Sequence, residues 1–343
     1  MGDSRSTTST NAVMSLFNRH LQKRSEKSLR EVPVLAELFD KRPLPGKSGT
    51  TMFVPRHIAR NAIRALTEGT PIVTCATSAH YYSGTVVGYG DARAYSDFLV
   101  MVHEIPTMIS DDIDFMSRDA GLKIDDLCRT AISARAYSAE TGGHNTFISP
   151  DGTTASGSVK STTSLKQNAL FETNTSLHSD NAPLYADGLY HGVFHPRQTY
   201  DLFISTSAGS QLTKLAADSA KHTSFLENTE FGAKKLERAT IGVLGNIRVI
   251  ENTNAPKTVN GGTAAAGISA SNSGYVAYVM GPGAAAAVDL STARLKTYMK
   301  ALGSAGTTDP IDQEMTASVK FYFVAIGMDV RNRMRSIPSG KTL

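Results

Sequence analysis

The stretch that decides the fold runs from Ser48 to Asp97, beginning SGTTMFVPR (48–56) and ending SAHYYSGTVVGYGDARAYSD (78–97). Both ends are rich in Thr, Tyr, Val and Phe, residues that favour β-strands. They predict an outgoing strand over 50–55 and a returning strand over 78–89. A ribbon of two strands is only marginally stable alone in water, and its free edges invite pairing. The ribbon must therefore pack either on its own domain or on a neighbouring copy of the chain.

The segment between the two strands is charged and turn-like. It contains Arg56, Arg60, Arg64 and Glu68, and Glu68 is followed by Gly69-Thr70-Pro71. Gly and Pro so close together are typical of a turn. This segment is the tip of the predicted ribbon.

The composition is that of a folded chain of about two domains, with 343 residues and 41% hydrophobic residues. The longest apolar stretch is broken by Gly281-Pro282-Gly283, so no membrane-spanning helix is predicted. The N-terminus lacks the apolar core of a secretion signal. Cys75 and Cys128 are predicted to be free thiols, and their spacing indicates no metal site.

The N-terminal region reads as an arm without a core of its own. Residues 11–39 are predicted to be partly helical, with Val13, Leu16, Phe17 and Leu21 on one face. Basic residues cluster here, namely Arg19, Lys23, Arg24, Lys27, Arg30, Lys41, Arg42 and Lys47. The cluster is either a solvated basic arm or a contact for an acidic partner or nucleic acid. A net charge of +4 is too small to indicate a nucleic-acid reader.

A long helix is predicted to begin at Ser110 and to end at Gly142-Gly143. Ser is a favoured N-cap, and the acidic residues 111, 112 and 114 suit the positive end of a helix dipole. Apolar residues recur at helical spacing: Ile113, Met116, Ala120, Ile124, Leu127, Ala131 and Ala134. A helix with one long apolar face needs a long partner surface.

Three later patterns predict strands. Residues 189–195 read as a buried strand, followed by a helix that starts at Pro196. Residues 239–244 and 247–252 predict a hairpin whose turn, Gly245-Asn246, suits type II′ because Gly comes first. Residues 315–330 alternate apolar and polar side chains, so they predict one long strand that packs along the helix.

Each candidate catalytic or ligand-binding motif lacks the flanking residues or secondary structure that its chemistry requires. Gly46-Lys47-Ser48 lacks the preceding Gly, strand and following helix of a phosphate-binding loop. Gly281-Pro282-Gly283 follows a strand but reads as a tight turn, not a dinucleotide site. His191 and His195 have no third metal ligand at a recognisable spacing. The chain is therefore predicted to be no enzyme, with no cofactor and no metal.

The order of the parts resembles the major capsid proteins of tailed bacteriophages, which have the Hong Kong 97-like fold. Within that fold the chain resembles the N-four-type coat protein family. The segments that carry the resemblance are KSGTTMFVPR (47–56), LTEGTP (66–71), GYGD (88–91), YHGVFHP (190–196) and IGVLGNIRVIE (241–251). The Gly/Ser/Thr-rich loops over 145–164 and 257–274 depart from the family pattern.

The resemblance implies an α+β fold of four parts. These are an N-terminal arm (1–47), an extended β-hairpin loop (48–97), a peripheral domain with a long spine helix (98–164 and 311–343) and an axial domain (165–310). It implies a major capsid protein that self-assembles into hexamers and pentamers of an icosahedral phage head enclosing double-stranded DNA. In that setting the extended loop lies on an adjacent subunit, and Arg56, Arg60, Arg64 and Glu68 are its expected intersubunit contacts.

The resemblance also implies the partners and the location. The chain would contact itself, a separate scaffolding protein, a portal, a decoration protein and packaged DNA, the last through phosphates without reading sequence. It would be assembled in the host bacterial cytoplasm and reside in the virion, with no membrane partner. Three alternatives stay open: a minor shell or decoration virion protein, a nucleotide- or metal-dependent hydrolase, and a binding module for nucleic acid.

Overall fold

A computed structural model provides the structure of the chain. It describes residues 34–45, 49–57, 68–69, 79–97, 105–137, 147–150, 163–204, 240–255, 257–258, 274–290, 295–300, 313–328 and 330–340. Two sheets, a separate two-stranded ribbon and five helices, one of them long, make up this part of the chain.

The first sheet is organised around one long strand. Its members are β1 (Asp40–Lys41), β4 (Val87–Ser96), β10 (Ala285–Asp289), β11 (Leu295–Lys300) and β12 (Glu314–Gly327). Strand β12 pairs antiparallel with β4 along one edge, from Glu314 opposite Ser96 to Phe323 opposite Val87. Its other edge pairs with β11 and then with β10, so both edges of β12 are occupied.

The second sheet has the strand order β13-β9-β5-β7-β6, with the short β8 beside β9. Its members are β5 (Tyr190–Phe194), β6 (Thr240–Leu244), β7 (Ile247–Glu251), β8 (Lys257–Thr258), β9 (Gly274–Met280) and β13 (Met334–Gly340). Every residue of β5 is buried, as expected for a strand covered on both faces.

Five helices accompany the sheets in the described residues. They are α1 (Leu35–Leu38), α2 (Ile105–Tyr137), α3 (Gln167–Ser179), α4 (Pro196–Ile204) and α5 (Val330–Arg333). Helix α2 has 33 residues and is therefore about 50 Å long at 1.5 Å per residue. No helix in the described part of the chain is both long and apolar enough to cross a membrane.

Two main apolar clusters lie on opposite faces of the second sheet. The first joins the buried face of α2, including Ile113 and Met116, to the inward residues of β12 and to Val276 of β9. The second lies between α3 and the other face of the sheet, with Leu170 and Val279 among its members. Helix α2 packs along β12, as predicted from the matching lengths of their apolar patterns.

The long helix begins five residues earlier than predicted. It starts at Ile105, so Ser110 lies inside the helix and the N-cap prediction is wrong. Pro106 stands in the first turn, where a missing backbone N–H costs nothing. Asp112 accepts hydrogen bonds from Arg93 and Tyr95 of β4, so it does not mark the start of the helix. The predicted end at Gly142-Gly143 lies outside the described residues.

The central hairpin forms where it was predicted, but its turn differs. Gly245 has φ +57° and Asn246 has φ +65°. Two positive φ values in a two-residue loop define a type I′ turn, so the type II′ prediction is wrong. Asn tolerates the left-handed region because its short polar side chain can bond to nearby backbone.

The predicted strand over 315–330 is too long. Strand β12 ends at Gly327, and after α5 the chain forms β13, which pairs with β9 in the second sheet. Conversely, β10 and β11, which fall within the predicted axial range 165–310, pair with β12 in the first sheet. The domain boundaries drawn from the sequence therefore cut across observed strand pairings, and the four-part division stays a prediction. Of the region 11–39 that was predicted to be partly helical, residues 11–33 lie outside the described residues, and α1 lies in the remainder.

Candidate intersubunit interface

The predicted ribbon is present as β2 (Thr51–His57) and β3 (Ala79–Thr85), paired antiparallel from Thr51 opposite Thr85 to His57 opposite Ala79. It is shorter than the predicted returning strand, because residues 87–96 form β4 in the first sheet. In the described residues, β2 and β3 pair only with each other. The ribbon is thus a separate two-stranded sheet.

One face of the ribbon packs on the chain's own first sheet. Val54 and Tyr82 stand opposite each other and are 5% and 7% exposed. They form a third apolar cluster with residues of β10, β12 and the adjoining segments: Leu44, Ala286, Val288, Ile326 and Met328. The base of the ribbon is therefore fixed by its own subunit.

Gly84 allows the ribbon to approach β12 closely. A Cβ atom at this position would lie 2.6 Å from Cγ1 of Ile326, far inside van der Waals contact. The absence of a side chain at Gly84 thus sets the distance between the ribbon and the sheet.

The opposite face of the ribbon presents two aromatic rings. Phe53 and Tyr81 are 57% and 69% exposed, and their rings meet edge to face with centroids 5.6 Å apart. An exposed pair of large aromatic side chains is typical of a surface that another molecule covers. This pair was not singled out from the sequence, although the alternation of Met52 and Val54 with Phe53 and Pro55 places Phe53 on the other face of the strand.

The four predicted contact residues are only partly within the described chain. Arg56 lies in β2 opposite His80, and Glu68 is an exposed residue in a turn whose next residue, Gly69, has φ +79°. Arg60 and Arg64 lie outside the described residues. A single chain brings none of the four against a second subunit, so their contact role stays a prediction.

The arm that precedes the ribbon is held by a buried carboxylate of α2. Asp125 accepts hydrogen bonds from the backbone N–H groups of Val34 and Leu35 at 3.2 and 3.0 Å. It also accepts one from Nδ2 of Asn252 at 3.2 Å. Burial raises the pKa of Asp125, and these hydrogen bonds to the charged form oppose that rise. Asp125 thereby ties the arm to α2.

A second carboxylate of α2 ties the helix to the strand that follows the ribbon. Asp112 accepts from Nη1 of Arg93 and from the hydroxyl of Tyr95, both at 2.5 Å. Burial, the hydrogen bond to Asp112 and its negative charge raise the pKa of Tyr95, while Arg93 lowers it. Residues 93–95 thus fix β4, and with it the base of the ribbon, on α2.

The histidines weighed as metal ligands have structural roles. Nε2 of His191 lies 2.8 Å from Oδ2 of Asp187. The same oxygen forms an ion pair with Nη2 of Arg248 at 3.2 Å. Asp187 favours the charged imidazole, but burial outweighs it and lowers the pKa of His191. The neutral form agrees with Nδ1, a buried nitrogen with no hydrogen-bond partner in the described residues. His195 stacks on Tyr275 with centroids 4.0 Å apart, and its Nδ1 accepts from the backbone N–H of Arg197.

The other candidate sites considered from the sequence were a metal cluster, the Gly281-Pro282-Gly283 motif, the cysteines and the Gly46-Lys47-Ser48 motif. No cluster of three or more His, Cys, Asp or Glu residues that could hold a metal occurs in the described ranges. Residues 281–283 form the predicted tight turn, with Gly283 at φ +77° and the Pro282 carbonyl bound by Arg333. Cys128 is a buried free thiol, as predicted, whereas Cys75 and the Gly46-Lys47-Ser48 motif lie outside the described residues.

Comparison with known proteins gives a match in structure but not in sequence. No protein-family model and no curated protein matches the chain. The capsid of Ralstonia phage GP4 matches with a TM-score of 0.65 at 13% identity, over 92% of this chain and 90% of that chain. The capsid of the cyanophage P-SCSP1u matches with a TM-score of 0.60 at 14% identity, over 91% and 90%. The cyanophage Pam1 capsid matches with a TM-score of 0.59 at 12% identity, over 86% of each chain.

These matches define the class of fold. The chain has a mixed helix and sheet architecture similar to that of phage capsid proteins, and the similarity extends over nearly the whole of both chains. The resemblance seen in the sequence is thus confirmed at the level of the fold. At 12–14% identity the similarity reaches no further than the fold.

Proposed function

We propose that this chain is a major capsid protein, which self-assembles into the hexamers and pentamers of an icosahedral phage head around double-stranded DNA. The observation that carries the proposal is the match to phage capsid chains over about nine tenths of both chains. The virion shell is then its location, after assembly in the host cytoplasm.

The ribbon is the proposed contact with the neighbouring subunit. Its base is fixed on the subunit's own sheet by Val54 and Tyr82, so its outer face is held in a constant position. The exposed Phe53–Tyr81 pair supplies apolar area on that face, and the charged tip, with Arg56, Arg60, Arg64 and Glu68, supplies polar contacts. Extended arms that bury area on neighbours suit a repeated assembly.

The further partners follow from this role. A scaffolding protein, a portal and a decoration protein are proposed partners, and packaged DNA would be contacted through phosphates alone. In the proposed four-part division the residues of α2 form the spine of the peripheral domain.

Electron microscopy of the purified protein, with and without its co-expressed scaffold, tests the proposal. Closed shells or six-fold and five-fold capsomers are the expected particles. A protein that stays monomeric under every assembly condition would overturn the proposal. The copy number per particle separates a major subunit from a minor shell or decoration protein. A thermal shift with nucleotides or divalent metals would instead support the hydrolase alternative, and none is expected.

A further inference from the structure

Helix α2 carries a second apolar stripe, on the side opposite its buried face. Met108, Phe115 and Leu122 are 41%, 54% and 45% exposed. They are spaced by seven residues, which places them within about 20° of one line along the helix and makes the stripe about 21 Å long. Three large apolar side chains in such a row form a seam of the kind that accepts another helix.

The surroundings of the stripe are acidic. Asp111 and Asp119 are exposed and lie about 40° to either side of Phe115 at 100° per residue. Residues 108–126 contain six Asp; Asp125 is buried and Asp112 is bound by Arg93, so four Asp remain against Arg118 and Lys123. The partner that fits this surface is therefore an amphipathic helix with a basic polar face.

The chain itself contains a segment of that chemistry. Residues 11–30 have Val13, Leu16, Phe17 and Leu21 at helical spacing. The same residues carry five basic side chains and one acidic side chain, a net charge of +4, opposite in sign to that of the helix surface. The basic side chains are Arg19, Lys23, Arg24, Lys27 and Arg30.

The described chain begins beside the stripe. Val34 and Leu35 are bound to Asp125, which is three residues, or about 4.5 Å of helix rise, from Leu122. The four residue steps from Arg30 to Val34 span up to about 14 Å when extended, so the C-terminal end of a helix over 11–30 can lie beside the Leu122 end of the stripe. Residues 1–33 lie outside the described part of the chain.

We propose that residues 11–30 dock as an amphipathic helix on the Met108–Phe115–Leu122 stripe of the same chain, with their basic side chains against the Asp residues that flank it. The proposal concerns the subunit alone and does not depend on the assembly of a shell. It gives the basic cluster of the arm an acidic partner within the chain.

Photo-crosslinking in the full-length chain tests the proposal. A benzophenone amino acid replaces Phe115, and mass spectrometry identifies the linked peptide. The same group in place of Tyr200 of α4, which is 55% exposed, is the matched control. Crosslinks from position 115, and not from position 200, to peptides within 11–30 are expected. Crosslinks from position 115 only to another segment or another protein, or no crosslink at all, would overturn the proposal.

Two further measurements sharpen the result. In a mixture of isotopically heavy and light chains, docking within one chain gives only heavy–heavy and light–light products, whereas mixed products would overturn it. The double change Lys23→Glu and Lys27→Glu should lower the crosslink yield about fivefold, for two ion pairs of ordinary strength. Adding Asp111→Lys and Asp119→Lys should restore the yield, and failure of that rescue would contradict the proposed charge pairing.

Discussion

The carboxylate of Asp125 accepts a hydrogen bond from the backbone N–H of Leu35 at 3.0 Å, across 90 residues of sequence. Its other oxygen is within hydrogen-bond distance of the Val34 N–H and of Asn252, at the end of β7. The Asp125 side chain is almost completely buried. One side chain thus joins the arm, the long helix and the second sheet.

Replacing Asp125 should therefore destabilise the subunit strongly. Asp125→Ala leaves two buried N–H groups and an amide without acceptors, which we expect to cost about 3 kcal/mol of unfolding free energy in urea. Asp125→Asn keeps one acceptor oxygen and should cost less. Asp126→Ala is the matched control, because Asp126 forms half-exposed ion pairs with Lys123 and Arg129 and should cost under about 1 kcal/mol. Equal losses at positions 125 and 126 would contradict the anchoring role.

His191 should make the subunit less stable as the pH falls. Because burial lowers the pKa of His191 in the folded chain, the unfolded chain binds the proton more readily below its ordinary value of 6.5. The unfolding free energy should fall between pH 7 and pH 5, with at most about 1.4 kcal/mol per pH unit from this group. His191→Gln should reduce that slope, measured by urea unfolding at several pH values. His178→Gln, at an exposed histidine of α3, is the matched substitution that controls for replacing a histidine by an amide.

The two faces of the ribbon should separate folding from assembly. The double change Phe53→Ser and Tyr81→Ser alters only the exposed face, so the unfolding free energy should change by under about 1 kcal/mol. Assembly, followed by sedimentation, should weaken by about tenfold or more if both rings are covered by a neighbour. Val54→Ser, on the buried face, should instead lower subunit stability by about 2 kcal/mol. Normal assembly of the double variant would show that the aromatic pair is not part of the interface.

Charge at the ribbon tip should matter for assembly more than for folding. Arg60→Glu together with Arg64→Glu should leave the unfolding free energy within about 0.5 kcal/mol while the yield of assembled particles drops. The control is Lys296→Glu with Lys300→Glu, two exposed basic residues four apart on β11. An equal loss of assembly in the control would indicate a general charge effect. An equal loss of folding in the arginine variant would assign the tip to its own subunit.

The close approach of the ribbon to β12 should depend on Gly84. Gly84→Ala places a methyl group on Ile326 and should destabilise the ribbon by about 1–3 kcal/mol, as overpacking does. The change should appear as faster hydrogen exchange in β2 and β3 without global unfolding. Ile326→Ala removes the clashing atoms and should restore the exchange rates in the double variant. A lack of rescue would show that Gly84 is needed for another reason.

Local patterns allowed much of the fold to be predicted. The alternation over 315–327, the helical spacing after residue 112 and the Gly245-Asn246 hairpin are all present in the structure. What the sequence could not provide depends on distant contacts. Asp112 looked like a helix-start signal because its partners, Arg93 and Tyr95, lie on another strand. Phe53 and Tyr81 could not be identified from the sequence for the same reason. Which face of the ribbon is exposed depends on the packing of Val54 and Tyr82 against the first sheet.

The late position of strand β12 in the sequence determines when the subunit can fold during synthesis. It is the centre of the first sheet, yet its residues, 314–327, leave the ribosome after all but the last few elements. Until β12 has been synthesised, the edge of β4 that pairs with it stays unpaired. Ile326, against which the ribbon packs, has also not yet been added to the chain. Such long-range pairing is slow to form and exposes apolar surface while it waits. A chain interrupted before residue 327 therefore cannot position its ribbon, and only a chain made past that point can present the ribbon's outer face correctly.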